Sequence, residues 1–194
     1  MEEKEKDTVE VVESVTDGKK KKGKKAKKII ITIVSLLLVA AIGFGTCFYI
    51  QNENKYNEYI ETARTYARKV ELACDNLEIV SARQSYSIYS AIWGTGSGES
   101  IEDSMGWNTE EANKARELIA EINQSGYKLR NVKGIYFHEN VAEIKKLAKI
   151  INDDFTECAK VLNRTGNMYS IVTSYSQNAG KVESGIRKLK LLLY

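Results

Sequence analysis

Residues Ile29–Ile50 read IIITIVSLLLVAAIGFGTCFYI, twenty-two positions without a charged side chain. At 1.5 Å of rise per residue, a helix of that length is about 33 Å long, enough to cross the hydrocarbon of a bilayer. Backbone amides in lipid have no water to bond to, so a lone spanning segment satisfies them only by being helical. The expectation is one transmembrane helix at Ile29–Ile50, acting as an uncleaved signal-anchor. A cleaved signal peptide would carry a shorter apolar region behind a much shorter basic stretch, although Gly43-Phe44-Gly45 has the small-residue spacing a signal peptidase reads. Lipidation at Cys47 fits less well, because Phe44 and Thr46 stand where small and aliphatic residues belong.

Charge around the apolar run sets its direction. Gly18–Lys28 is GKKKKGKKAKK, in which Lys19, Lys20, Lys21, Lys22, Lys24, Lys25, Lys27 and Lys28 precede the span, whereas Lys55 is the only base between the span and Arg64. Lysines flanking a span stay in the cytoplasm, so the amino terminus is expected inside and the domain after the span outside. The same lysines are candidate contacts to anionic headgroups. Residues 1–28 begin with the acidic MEEKEKDTVEVVESVTDG, which lacks an apolar period, and this tail is expected to be disordered. It is too short for a catalytic output domain, so an inward signal would need a partner protein.

The whole chain has no Pro and a net charge of +3, but residues 51–194 carry nineteen basic and nineteen acidic side chains. A neutral domain lacks the basic footprint that phosphate neutralisation requires, which excludes nucleic acid as an expected partner. Without Pro, long helices are unimpeded. Tyr56, Tyr59, Ala63, Tyr66, Val70, Ala73, Leu77 and Val80 alternate three and four apart, a coiled-coil-like seam for a first helix over about 52–93. Gln84 interrupts the seam, and Tyr86, Ile88, Tyr89 and Ile92 resume it on a shifted face before the glycines of WGTGSGES. A second helix is expected from Thr109, a suitable N-cap followed by two Glu, to about Lys133, with Gly134 as its stop. A third carries Val141, Ile144, Ala148, Ile151, Phe155, Cys158 and Leu162. After the Asn163–Asn167 link a fourth carries Met168, Val172, Tyr175, Ala179, Val182, Ile186, Leu189 and Leu193. Four amphipathic stripes bury one another most simply as an up-down bundle. The expected architecture is all-α: one transmembrane helix, then an extracytoplasmic up-down four-helix bundle with a long first helix, its carboxyl end LKLLLY returning toward the bilayer.

Side chains that could carry chemistry are few. His138 is the only histidine, and its neighbours Glu139 and Glu143 do not give metal-ligand spacing. No triad can be assembled around it, so the expectation is a protein without catalytic activity, metal or cofactor. Gly94-Thr95-Gly96-Ser97-Gly98 follows a helix rather than a strand and has no Lys after it, unlike a phosphate loop. In the alignment of an even-topped bundle, Cys74 and Cys158 lie about 19 Å apart along the axis, too far for a disulfide, so two unpaired thiols are expected.

What remains is binding. Trp93, Ser97, Met105 and Trp107 frame the long loop after the first helix and form a candidate partner-binding site. A competing arrangement folds both Trp rings back over the end of the bundle, which burial of about 2–3 kcal/mol per ring would favour. The functional expectation is a membrane-anchored envelope protein that binds another protein or a surface component. The alternative is a small-ligand sensor that relays through the span to a membrane partner. Ala41 and Gly45 make a small-xxx-small pair at which two anchors could approach, so a homo-oligomer is compatible with the sequence.

Overall fold

The computed structural model describes the backbone of residues 3–94 and 101–194, and the side chains of residues 27–94 and 103–194. Every element among the described residues is helical: α1 (Glu3–Trp93), α2 (Ile101–Ser104), α3 (Glu110–Asn131), α4 (Asn140–Cys158), a 3-10 turn at Ala159–Leu162, and α5 (Met168–Leu193). The chain divides into two compact units, Met1–Gln51 and Asn52–Tyr194, and α1 contributes to both.

In the first unit the described helical backbone runs from Glu3 onward. Glu and Lys are both good helix formers, and no Pro interrupts them. The apolar run is long and apolar enough to cross a membrane, and none of it is buried within the protein, unlike the core helix of a soluble fold. Its Ser and Thr hydroxyls bond back to their own helix, Thr32 to the Lys28 carbonyl (3.0 Å), Ser35 to Ile31 (2.9 Å) and Thr46 to Ile42 (2.8 Å), which satisfies those three donors within the apolar run.

The second unit is built on the expected stripes. Tyr59, Ala63, Tyr66, Val70, Ala73, Leu77 and Val80 of α1 are buried in one cluster with Ile122 and Leu129 of α3, Ile144, Ile151 and Phe155 of α4, and Val182, Ile186 and Leu189 of α5. Each large apolar side chain removed from water contributes about 1.5–3 kcal/mol. The helix starts follow the local chemistry. Thr109 accepts from the Ala112 amide at 3.3 Å with Glu110 and Glu111 in the first turn, and Asn167 accepts from the Ser170 amide at 3.2 Å. α3 ends at Asn131, two residues before the expected end at about Lys133, and Gly134 takes a φ of 75° in the link that follows.

Polar contacts fix the register. Tyr59 Oη donates to the Leu129 carbonyl (3.3 Å) and Lys69 pairs with Glu121 (2.5 Å), so residue numbers on α3 fall as those on α1 rise. Along α4 they rise together: Asn140 Nδ2 donates to Tyr56 Oη (2.7 Å), Tyr66 Oη to the Ala148 carbonyl (3.3 Å) and Gln84 Nε2 to the Val161 carbonyl (2.6 Å). On α5 they fall, from Arg64 with the Leu193 carbonyl (2.7 Å) to Tyr175 Oη with the Cys74 carbonyl (3.4 Å).

This register corrects the thiol alignment. The cysteines are free, but pairing Gln84 with Val161 puts Cys158 level with about residue 81, roughly 10 Å above Cys74 rather than the expected separation of nearly twice that. α1 overshoots the other helices at that end, so measuring downward from a shared top exaggerated the gap.

Candidate functional site

Among the described residues, the overshoot leaves one side of the end of α1 exposed. Tyr86 is 69% exposed, Tyr89 61%, Ile92 71% and Trp93 66%. The Tyr89 and Trp93 rings lie against each other with centroids 6.0 Å apart. Leu72 and Ile79 continue the exposed line downward, so Leu72, Ile79, Tyr86 and Trp93 follow one another at seven-residue steps. Such a step keeps side chains on one face of a helix. Of Tyr86, Ile88, Tyr89 and Ile92, which were expected to resume the seam on a shifted face, Ile88 is half-buried and the other three are exposed. The signal was present in the sequence as a second seven-residue series, offset by two from Val70 and Leu77.

The two tryptophans of the candidate loop separate. Trp93 is exposed, whereas Trp107 is buried at 7% and its indole N–H has no partner. Met105 is half-buried, and Ser97 lies outside the described residues. The loop's second half is held to the rest of the unit: Ser87 Oγ donates to the Ser104 carbonyl (2.6 Å), and Arg164 donates to Asn108 Oδ1 (2.7 Å). Gly106, at φ 72°, packs on Arg83, whose Cδ would lie 3.0 Å from an added Cβ. Of the lysines before the span, Lys27 and Lys28 have exposed side chains, and the side chains of Lys19, Lys20, Lys21, Lys22, Lys24 and Lys25 lie outside the described residues.

A second cluster, not anticipated from sequence, forms where α1 enters the Asn52–Tyr194 unit. The buried Asn52 side chain grips the α3–α4 link at both polar atoms of one residue, accepting from the Tyr136 amide (2.7 Å) and donating to its carbonyl (2.9 Å). His138 stacks on Tyr56 with centroids 3.6 Å apart and planes 4° off parallel, and its Nε2 lies 3.1 Å from Glu53 Oε1 without hydrogen-bond alignment. Its partners come from α1 rather than from Glu139 or Glu143, a pairing across more than eighty residues that local spacing does not reveal.

The core holds polar groups as well. Gln84 is fully buried; its Nε2 is satisfied by Val161, and its Oε1 has no partner. The polar interruption of the seam is therefore a half-paired amide. Burial also pushes the thiols up, Cys74 to about 12 and Cys158 to about 11, with Cys158 adding to the shift of Cys74. No cluster of three or more His, Cys, Asp or Glu suited to a metal occurs among the described residues. Comparison with known proteins finds no matching family model, and no similar curated protein or solved structure.

Proposed function

We propose that this protein is a membrane-anchored tether of the cell envelope, with its amino terminus in the cytoplasm. Its second unit would stand outside as an up-down four-helix bundle that binds another protein. The span and its lysines support the placement by charge, and the rising and falling contact series support the bundle. The observation that carries the binding reading is the exposed line of Tyr86, Tyr89, Ile92 and Trp93. Four large apolar side chains in water on one helical face are an unfavourable surface unless a partner covers them, and Tyr and Trp are the residues that dominate interface energetics. A partner helix with apolar residues at heptad spacing would fit that face.

Photocrosslinking in intact cells tests this. A photoreactive residue at Tyr89 should give one discrete protein adduct, and the same residue at Tyr169, which is 72% exposed on α5, should give none. Equal adducts from both positions, or none from Tyr89 in a folded chain, would overturn the reading.

A further inference from the structure

At the opposite end of the second unit, Phe137 is 87% exposed and its backbone is at φ 64°. That left-handed conformation is uncommon for any residue with a Cβ and is unfavourable for a bulky one. The fold nevertheless holds an aromatic ring there, in water, beside Tyr136 at 53% exposure. The surroundings hold the loop firmly. Asn52 bonds both backbone polar groups of Tyr136, and His138 is stacked on Tyr56. The carboxyl end of α5 comes to the same place, because Asn140 reaches the Leu192 carbonyl (3.4 Å), leaving Leu191 79% and Tyr194 81% exposed.

Covalent connection fixes what lies nearby. Asn52 is two residues beyond Ile50, where the uncharged run ends. Two trans peptides span at most about 7.6 Å between alpha carbons, at any angle between the units. The residue that grips the loop is thus never farther than that from the end of the apolar run. Aromatic side chains favour the boundary between headgroups and acyl chains, where an apolar ring leaves water and nearby polar groups stay wet. Lys55, Lys128 and Lys133 line an open groove beside the loop with Glu58 as the acid among them, which suits a surface bearing lipid phosphates.

We infer that the Tyr136–Phe137 loop is a membrane-docking element that inserts into the bilayer interface next to the anchor and fixes how the second unit stands on the membrane. The loop would act as a second contact with the same membrane, with the exposed Phe137 ring as its leading side chain. The inference rests on Ile29–Ile50 spanning the bilayer, and it does not depend on which side the unit occupies.

The test uses the full chain in nanodiscs of phosphatidylethanolamine and phosphatidylglycerol, with Cys47→Ser and Phe137→Cys carrying an environment-sensitive fluorophore. Tyr169→Cys in the same background is the reference, and the background without an added cysteine reports labelling of the buried thiols. The label at 137 should be blue-shifted and quenched several-fold more strongly by lipids with a nitroxide just below the headgroup than the label at 169. Hydroxyl-radical footprinting of the unmodified chain should likewise show Tyr136 and Phe137 protected relative to Tyr169, and this arm stands if the cysteine variant fails to fold. A water-like label at 137 together with unprotected Tyr136 and Phe137 overturns the inference. Alkaline extraction and flotation with vesicles report the span separately, so loss of flotation identifies a failed anchor rather than a failed loop.

Discussion

Gly185 of α5 lies so close to Ile151 of α4 that an added Cβ would sit 2.7 Å from Ile151 Cγ1. Gly180, five residues earlier on the same helix, has nothing within 4 Å of that position. Alanine at Gly180 should therefore stabilise the fold by about 1 kcal/mol through helix propensity alone. At Gly185 the same change forces Ile151 off its rotamer or the helices apart, with overpacking that costs about 1–3 kcal/mol. Urea melts of Gly180→Ala and Gly185→Ala in detergent should shift their midpoints in opposite directions. Shifts of the same sign would mean that α4 and α5 do not meet at Ile151.

The contrast marks what sequence could carry. Both glycines interrupt an apolar period alike, and propensity assigns them one cost; only the α4–α5 contact distinguishes them. Local signals were legible: the cap at Thr109, the period of α4 and the uncharged run are all short-range chemistry, and the Asn167 cap, which the sequence reading treated only as part of a link, is of the same kind. Features that depend on how far one helix extends past another were not. The exposure of Tyr86 and Tyr89, the level of Cys158 against Cys74, and the pairing of His138 with Tyr56 all follow from register between distant segments. Phe137 gave no sequence signal, because a positive φ at a non-glycine residue is imposed by the loop's closure on Asn52 rather than by its own preference.

Asn52 holds the α3–α4 link through two bonds to Tyr136, and its own side chain is buried. Asn52→Ala removes both and leaves the Tyr136 groups with less satisfaction, a loss of about 1–3 kcal/mol in local stability. Hydrogen exchange at the Tyr136 amide should accelerate roughly tenfold for each 1.4 kcal/mol lost, while core amides of α4 hold their rates. Asn52→Asp keeps the acceptor and loses the donor, so its effect should be intermediate. Unchanged exchange at Tyr136 in the alanine variant would show that the loop is held by something other than Asn52.

Burial raises the thiols of Cys74 and Cys158 to about 12 and about 11. Both exceed the unfolded thiol value, so the contribution to stability is complete below about pH 8.5 and disappears as pH rises through the folded values. Thermal melting temperatures should accordingly stay level through neutral pH and fall above pH 9. A Cys74→Ala, Cys158→Ala chain, weaker at all pH values from lost packing, should show a shallower alkaline decline. An identical decline would assign the alkaline sensitivity to the buried tyrosines Tyr59, Tyr66 and Tyr175, which burial also pushes upward.

Gln84 places an amide in the fully buried layer between α1 and the end of α4, donating to the Val161 carbonyl while its Oε1 stays unpaired. Gln84→Glu conserves shape and replaces that donor with a group that donates only when protonated. A carboxylate there would face the Val161 carbonyl in a fully buried position, and an uncompensated buried charge costs about 3–5 kcal/mol. Its folded pKa must therefore lie above the unfolded value of about 4.3, and the variant is most stable below that value and loses stability as pH rises through the folded pKa. Melts of the variant and the parent chain should nearly converge in mild acid and separate by several degrees at neutral pH. A difference that does not change with pH would mean that water reaches Gln84, and that the upper end of α1 is less closely covered than its contact with Val161 indicates.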